Sequence, residues 1–206
     1  MIAIVPLPLA GPQAAALSLE ILGRTVLDRT LDTLRALPGL DQLIVGESPL
    51  PLATHSSLPL AGTGTNSSLP LAGTGTNSSL PLAGRGRGGG LDSILICDPD
   101  RPLLTLTMLT EFIERTQGDR VAVLVSPPSD TYKIARAGVV ETTLDRAALW
   151  ELQGLSRFNQ ASFDRLPDLE LALSAGIPVR LIQGDPMNFA VRSEEDCRLA
   201  ELVLSR

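Results

Sequence analysis

The sequence predicts an α/β protein, a three-layer fold in which a mainly parallel sheet lies between helices. Three observations carry this. Residues 2–5, 42–45, 93–97, 121–125 and 179–182 are short apolar runs, rich in β-branched side chains and without alternation, as strands covered on both faces require. Helical periodicity fills the intervals between them. The two patterns alternate along the chain, the order that builds parallel sheets through crossover helices.

Each element has its own reason. The opening Met1-Ile2-Ala3-Ile4-Val5-Pro6 has no basic segment ahead of its apolar run, and that run is far shorter than the roughly 20 residues a membrane span needs. It reads as a first strand, and the protein as cytosolic. Residues 25–37 set Val26, Leu27, Leu31, Leu34 and Leu37 on one side of a helix, and residues 105–116 do the same with Met108, Leu109, Phe112 and Ile113. Both read as crossover helices. Ser193-Glu194-Glu195-Asp196 resembles a capping box and opens a helix to about Leu204, with Leu199, Leu202 and Val203 expected inward.

One stretch breaks the alternation. Ser56-Ser57-Leu58-Pro59-Leu60-Ala61-Gly62-Thr63-Gly64-Thr65-Asn66 recurs unchanged at residues 67–77 and degrades through residues 78–88. Each copy carries a proline and two glycines with few large apolar groups, too little burial to offset the entropy of ordering it. The expectation is a single domain over residues 1–206 with a mobile Pro/Gly/Ser/Thr insertion at 56–90. Near-identity of adjacent copies points to recent duplication, so the copy number is read as incidental. The basic glycine tract Arg85-Gly86-Arg87-Gly88-Gly89-Gly90 leaves open a phosphate cradle of backbone amides and guanidinium groups.

Composition removes several functions. At 206 residues and 44% hydrophobic, the chain can bury one substantial core. A formal net charge of -6 gives no basic face for a nucleic-acid backbone or an anionic membrane, so neither is expected as a partner. His55 is the single histidine, which argues against Ser-His-Asp and Cys-His catalysis. Cys97 and Cys197 lack metal-ligand spacing and read as buried free thiols. Lys133 is the only lysine, read as a solvated side chain, and Trp150 is read as core.

The run Ile94-Leu95-Ile96-Cys97 ends in Asp98-Pro99-Asp100-Arg101-Pro102, a buried strand with an acidic-basic tip. Alone, Asp98 and Arg101 could simply pair on a surface. The order of further motifs argues for more. Asp98-Pro99-Asp100-Arg101-Pro102 is similar to the Asp-Ala-Ala-Arg-Pro of the methylerythritol-phosphate cytidylyltransferase family, and Asp130-Thr131-Tyr132-Lys133 to its Asp-Thr-x-Lys. Residues 141–150, ending Asp145-Arg146-Ala147-Ala148-Leu149-Trp150, resemble its Thr-x-Asp-Arg-x-x-Leu-Trp segment. Residues 176–188 and Glu195-Asp196 resemble its closing strand, Asn-containing loop and helix start.

The resemblance implies a Rossmann-like nucleotide-diphospho-sugar transferase fold and an enzyme that joins CTP to a sugar-alcohol phosphate, releasing pyrophosphate. It implies substrate-binding roles for Asp98, Arg101, Thr131 and Arg146, nucleotide-binding roles for Ala10, Gly11 and Pro99, and Mg²⁺ at Asp98. It implies a homodimer through an arm near residues 135–146.

The sequence also departs from that pattern. The family's early glycine-rich loop ends in arginine, whereas Pro6-Leu7-Pro8-Leu9-Ala10-Gly11-Pro12-Gln13 has no cation and few backbone donors. No lysine occurs in residues 14–22, and Ala190 stands where the family carries a lysine after its asparagine. Gly154-Leu155-Ser156 replaces Thr-Pro-Gln. Two readings follow: a diverged member with impaired or lost transfer and a binding or regulatory role, or an active transferase in which arginines such as Arg24, Arg85 or Arg87 replace the lysines. An interaction module built on the repeat is a third.

Overall fold

A computed structural model describes residues 1–47 and 93–205. The repeat insertion, His55, Arg85 and Arg87 lie outside the described residues. The strands are β1 (Ile2–Leu7), β2 (Glu20–Ile21), β3 (Arg24–Thr25), β4 (Gln42–Glu47), β5 (Ser93–Cys97), β6 (Val121–Ser126), β7 (Lys133–Arg136), β8 (Val139–Thr143), β9 (Glu151–Asn159) and β10 (Val179–Gln183). The helices are α1 (Pro12–Ala16), α2 (Val26–Arg35), α3 (Leu106–Arg115), α4 (Gln160–Phe163), α5 (Leu169–Ser174) and α6 (Glu194–Leu204).

Among the described residues, six strands form the main sheet in the order β10-β6-β9-β5-β1-β4. All pair in parallel except β9, which runs antiparallel to both β5 and β6. This is the mainly parallel α/β sheet that the apolar runs predict. The sequence reading does not include β9, because its buried face alternates with polar groups. One of these, Arg157, is buried and donates to Thr116 O at 2.7 Å, fastening the α3–β6 connection. Desolvation lowers the pKa of that guanidinium.

Helices on either side complete three layers. On one face Leu31, Leu34 and Leu37 join Leu109 and Phe112 of α3 over Ala3, Val5, Leu95 and Leu124. Thr25 and Thr105 cap these two helices through Asp28 N and Met108 N. On the other face Ala172 and Phe163 cover Val121, Phe158 and Val179.

Two expectations are corrected. The capping box at Ser193 is present, but α6 buries Cys197 and Ala200, whereas Leu199 and Leu202 are exposed. Small side chains let this helix approach Ile21 and Val26 closely, so the leucines face outward. Trp150 is 43% exposed, not core, because it precedes β9 at the root of the β7–β8 hairpin.

Candidate active site

Parallel strands deliver their following loops to one end of the sheet. Ile4 pairs with Ile96, so the loops after β1 and β5 emerge side by side. β9 brings its beginning to the same end, and the loop after β10 joins them, with Gly184 N donating to Val125 O at 2.8 Å. Crevices at carboxyl ends of parallel strands are where open α/β sheets bind ligands.

The tip of β5 is held from three sides. Asp98 N donates to Gly154 O at 2.7 Å, Thr30 Oγ1 of α2 donates to Pro99 O at 3.0 Å, and Val191 N donates to Asp100 O at 2.9 Å. Opposite the tip, the β6–β9 register slips by two residues, so Val125 faces Leu152 rather than Gly154. The slip lets Gly154 face the tip, while Gln153 Nε2 donates to Asp185 O at 2.6 Å. Gly154 adopts φ +69°, and a Cβ there would lie 2.5 Å from Arg101 Nε and 2.7 Å from Asp98 Oδ2. Glycine is thus what lets Asp98 and Arg101 close onto β9.

The polar groups around the tip are unusually buried. Arg101 is 6% exposed; it donates from Nη1 to Asn188 O at 3.1 Å and from Nη2 to Leu152 O at 3.2 Å. Its Nε lies 3.6 Å from Asp100 Oδ1. Arg192 Nε donates to Asp100 Oδ2 at 2.9 Å. Asp100 Oδ1, Arg101 Nε, Gln153 Oε1 and both amide atoms of Asn188 are buried without a hydrogen-bond partner. Such groups are costly, and their concentration marks this end of the sheet as built for something other than stability. Beneath them, burial and the Asp98 charge push the Cys97 thiol far above its ordinary pKa.

Of the residues singled out from sequence, Asp98, Pro99 and Arg101 therefore share one turn. Asp98 is half-buried beside Arg101, whose guanidinium is committed to main-chain carbonyls. Ala10 and Gly11 lie exposed in the neighbouring loop, and Gly11 caps α1 with φ +96°. Thr131 and Arg146 sit apart from the tip, exposed at the root of the β7–β8 hairpin, with Arg146 Nη1 donating to Ser129 O at 3.1 Å. Lys133 donates to Thr143 Oγ1 at 2.6 Å within that hairpin. Residues that sequence reasoning gave no role are Gly154, Gln153 and Arg192. The available signals were a glycine where the family carries threonine and an arginine two positions after Ala190.

A mainly parallel sheet whose adjacent strand ends gather loops and polar side chains is an architecture that nucleotidyltransferases share with other α/β proteins. Solved structures share it: a 4-diphosphocytidyl-2C-methyl-D-erythritol synthase at TM-score 0.67 and 21% identity, covering 98% of this chain and 97% of that one. The 2-C-methyl-D-erythritol 4-phosphate cytidylyltransferase of Thermus thermophilus follows at TM-score 0.63 and 19% identity, over 99% and 98% of the two chains. Residues 10–206 match the family model for 2-C-methyl-D-erythritol 4-phosphate cytidylyltransferase, and the chain belongs to that family.

Curated relatives agree. The cytidylyltransferase of Symbiobacterium thermophilum is 33% identical over 124 residues, 54% of this chain and 52% of that protein. A bifunctional IspD/IspF enzyme of Anaeromyxobacter dehalogenans is 28% identical over 198 residues, 88% of this chain and 50% of the enzyme. The chain thus spans about half the length of these curated relatives.

Proposed function

We propose that the chain binds CTP and a polyol phosphate at the carboxyl ends of β1 and β5 and joins them, at a rate held down by the loss of cations. The observation that carries this is the gathering of buried polar side chains around the Asp98–Arg101 turn, where Gln153 Oε1 and both amide atoms of Asn188 have no hydrogen-bond partner. A phosphate oxygen of the acceptor bonds to the α-phosphorus of CTP, the bridge to the β-phosphate breaks, and pyrophosphate leaves. Charge accumulates at one phosphorus, so cations decide the rate.

Roles follow from chemistry. Ala10 and Gly11 line the nucleotide side with main chain, and Pro99, buried and held by Thr30, backs it. Asp98 is a hard oxygen donor, suited to Mg²⁺ that keeps phosphate and water as its other ligands, and no cluster of three metal-ligating side chains occurs among the described residues. Mg²⁺ held at that carboxylate would supply charge neutralisation for the phosphates. Arg101 shapes the floor of the site by fixing the Asn188 and Leu152 carbonyls. Thr131 and Arg146 add a hydroxyl and a cation from an arm that pairs two copies. The thiols of Cys97 and Cys197 are free, as in a reducing cytosol, and no helix of the described residues is long and apolar enough to cross a membrane.

Ala190 and the proline-rich loop after β1 favour a second reading, retention of binding with transfer lost and a regulatory role. Calorimetry with CTP and Mg²⁺, followed by 2-C-methyl-D-erythritol 4-phosphate and a pyrophosphate-release assay, separates the two. The expected outcome is CTP binding with release slowed roughly 10²- to 10³-fold for each missing cation relative to a family member that has them, and abolished in Asp98→Asn. Binding without release selects the second reading. No heat at millimolar CTP overturns both.

A further inference from the structure

Among the described residues, a guanidinium left open at the acidic tip is that of Arg192. It stands between β10 and α6, on main chain tied to the tip through Val191 N and Asp100 O. Its Nε donates to Asp100 Oδ2 at 2.9 Å, and its terminal nitrogens make no hydrogen bond among the described residues. The Arg192 side chain is 41% exposed, whereas Asp100 keeps only 8%. A buried carboxylate thus anchors one edge of a half-exposed guanidinium. The other edge is a planar pair of donors, the geometry that phosphate accepts in two parallel bonds.

Other cations offer less. Arg101 is buried on carbonyls, Arg29 donates twice to Ile21 O, and Arg24 pairs with Asp32. Lys133 and Arg146 belong to the hairpin. Arg192 alone among these is both fastened to the tip and open.

We propose that Arg192 is a phosphate-binding cation of this site, held in position by Asp100. It takes a phosphate of the nucleotide or the phosphomonoester of the acceptor; the chemistry is shared. The proposal rests on the reading above that the site accepts phosphate-bearing substrates. Anchoring by Asp100 removes much of the entropy that a free arginine loses on binding, which suits a site short of cations.

The test is calorimetric titration of wild type, Arg192→Gln and Arg192→Lys with CTP–Mg²⁺ and, separately, with 2-C-methyl-D-erythritol 4-phosphate, alongside melting midpoints. Arg192→Gln should weaken one ligand by tenfold or more, the scale of a lost charge-assisted pair. Arg192→Lys should fall between. The ligand that weakens identifies the phosphate. Removing Arg192 strips Asp100 of its closest partner, so Asp100→Asn/Arg192→Gln serves if the single variant fails to fold, with the same loss expected. Both affinities within twofold of wild type would overturn this proposal while leaving the transferase reading intact. Wild type that binds neither ligand overturns both.

Discussion

Gly154 shows how one missing methyl group shapes the site. Asp98 and Arg101 occupy the space a side chain would claim, and the backbone is already left-handed at φ +69°. Adding a Cβ costs the left-handed conformation and forces both groups away, two penalties that sum to roughly 2–5 kcal/mol. Gly154→Ala should lower the urea midpoint accordingly and weaken CTP binding. An unchanged midpoint would mean the turn yields freely and is not held by this contact. The sequence showed that position 154 departs from the family, but not why. The reason lies in a register slip between β6 and β9, which depends on pairing between residues about thirty apart.

At the scale of elements, the hairpin root carries a bond that can be watched directly. Tyr132 Oη donates to Glu151 Oε1 at 2.9 Å, joining the segment before β7 to the start of β9. That bond, then the Glu151 charge, raises the pKa of Tyr132 above its ordinary value. A raised folded-state pKa means the bond's stabilisation is fully present below the unfolded-state pKa and is lost as pH rises through the folded one. Tyr132 is the only tyrosine in the chain, so phenolate absorbance reports it alone. Glu151→Gln should bring the titration midpoint down toward that of free tyrosine; a midpoint that stays put would show that the two side chains do not meet in solution.

Legibility followed the same physics. Strands buried on both faces, such as β5 and β6, were readable because apolar runs leave few other solutions. On α6 the expected Val203 does pack inward, but Leu199 and Leu202 give way to Cys197 and Ala200, which pack by close approach, a gain that hydrophobic size does not register. In the site, Asp98 and Arg101 were visible as a motif. The role of Arg192 was not, since its link to Asp100 spans 92 positions.

For the molecule as a whole, the β7–β8 hairpin poses the remaining question. A lone two-stranded ribbon is marginal in water, and this one exposes Val139 at 68% and Val140 at 58%, with Leu144 and Trp150 also uncovered at its root. Apolar surface on such an element is stabilised by covering it, and a second copy offers the same surface in two-fold exchange. The chain is expected to sediment as a dimer. Val139→Asp/Val140→Asp places four charges in that interface per dimer, and burying them unpaired should weaken association by roughly 10²-fold or more. The variant should then sediment as a monomer with its far-ultraviolet dichroism intact, because neither valine touches the core clusters. The single tryptophan, Trp150, should redden in emission as its surroundings become wet. Wild type that remains monomeric at every concentration tested would show that the hairpin covers nothing in solution, and Thr131 and Arg146 would then have no partner site to serve.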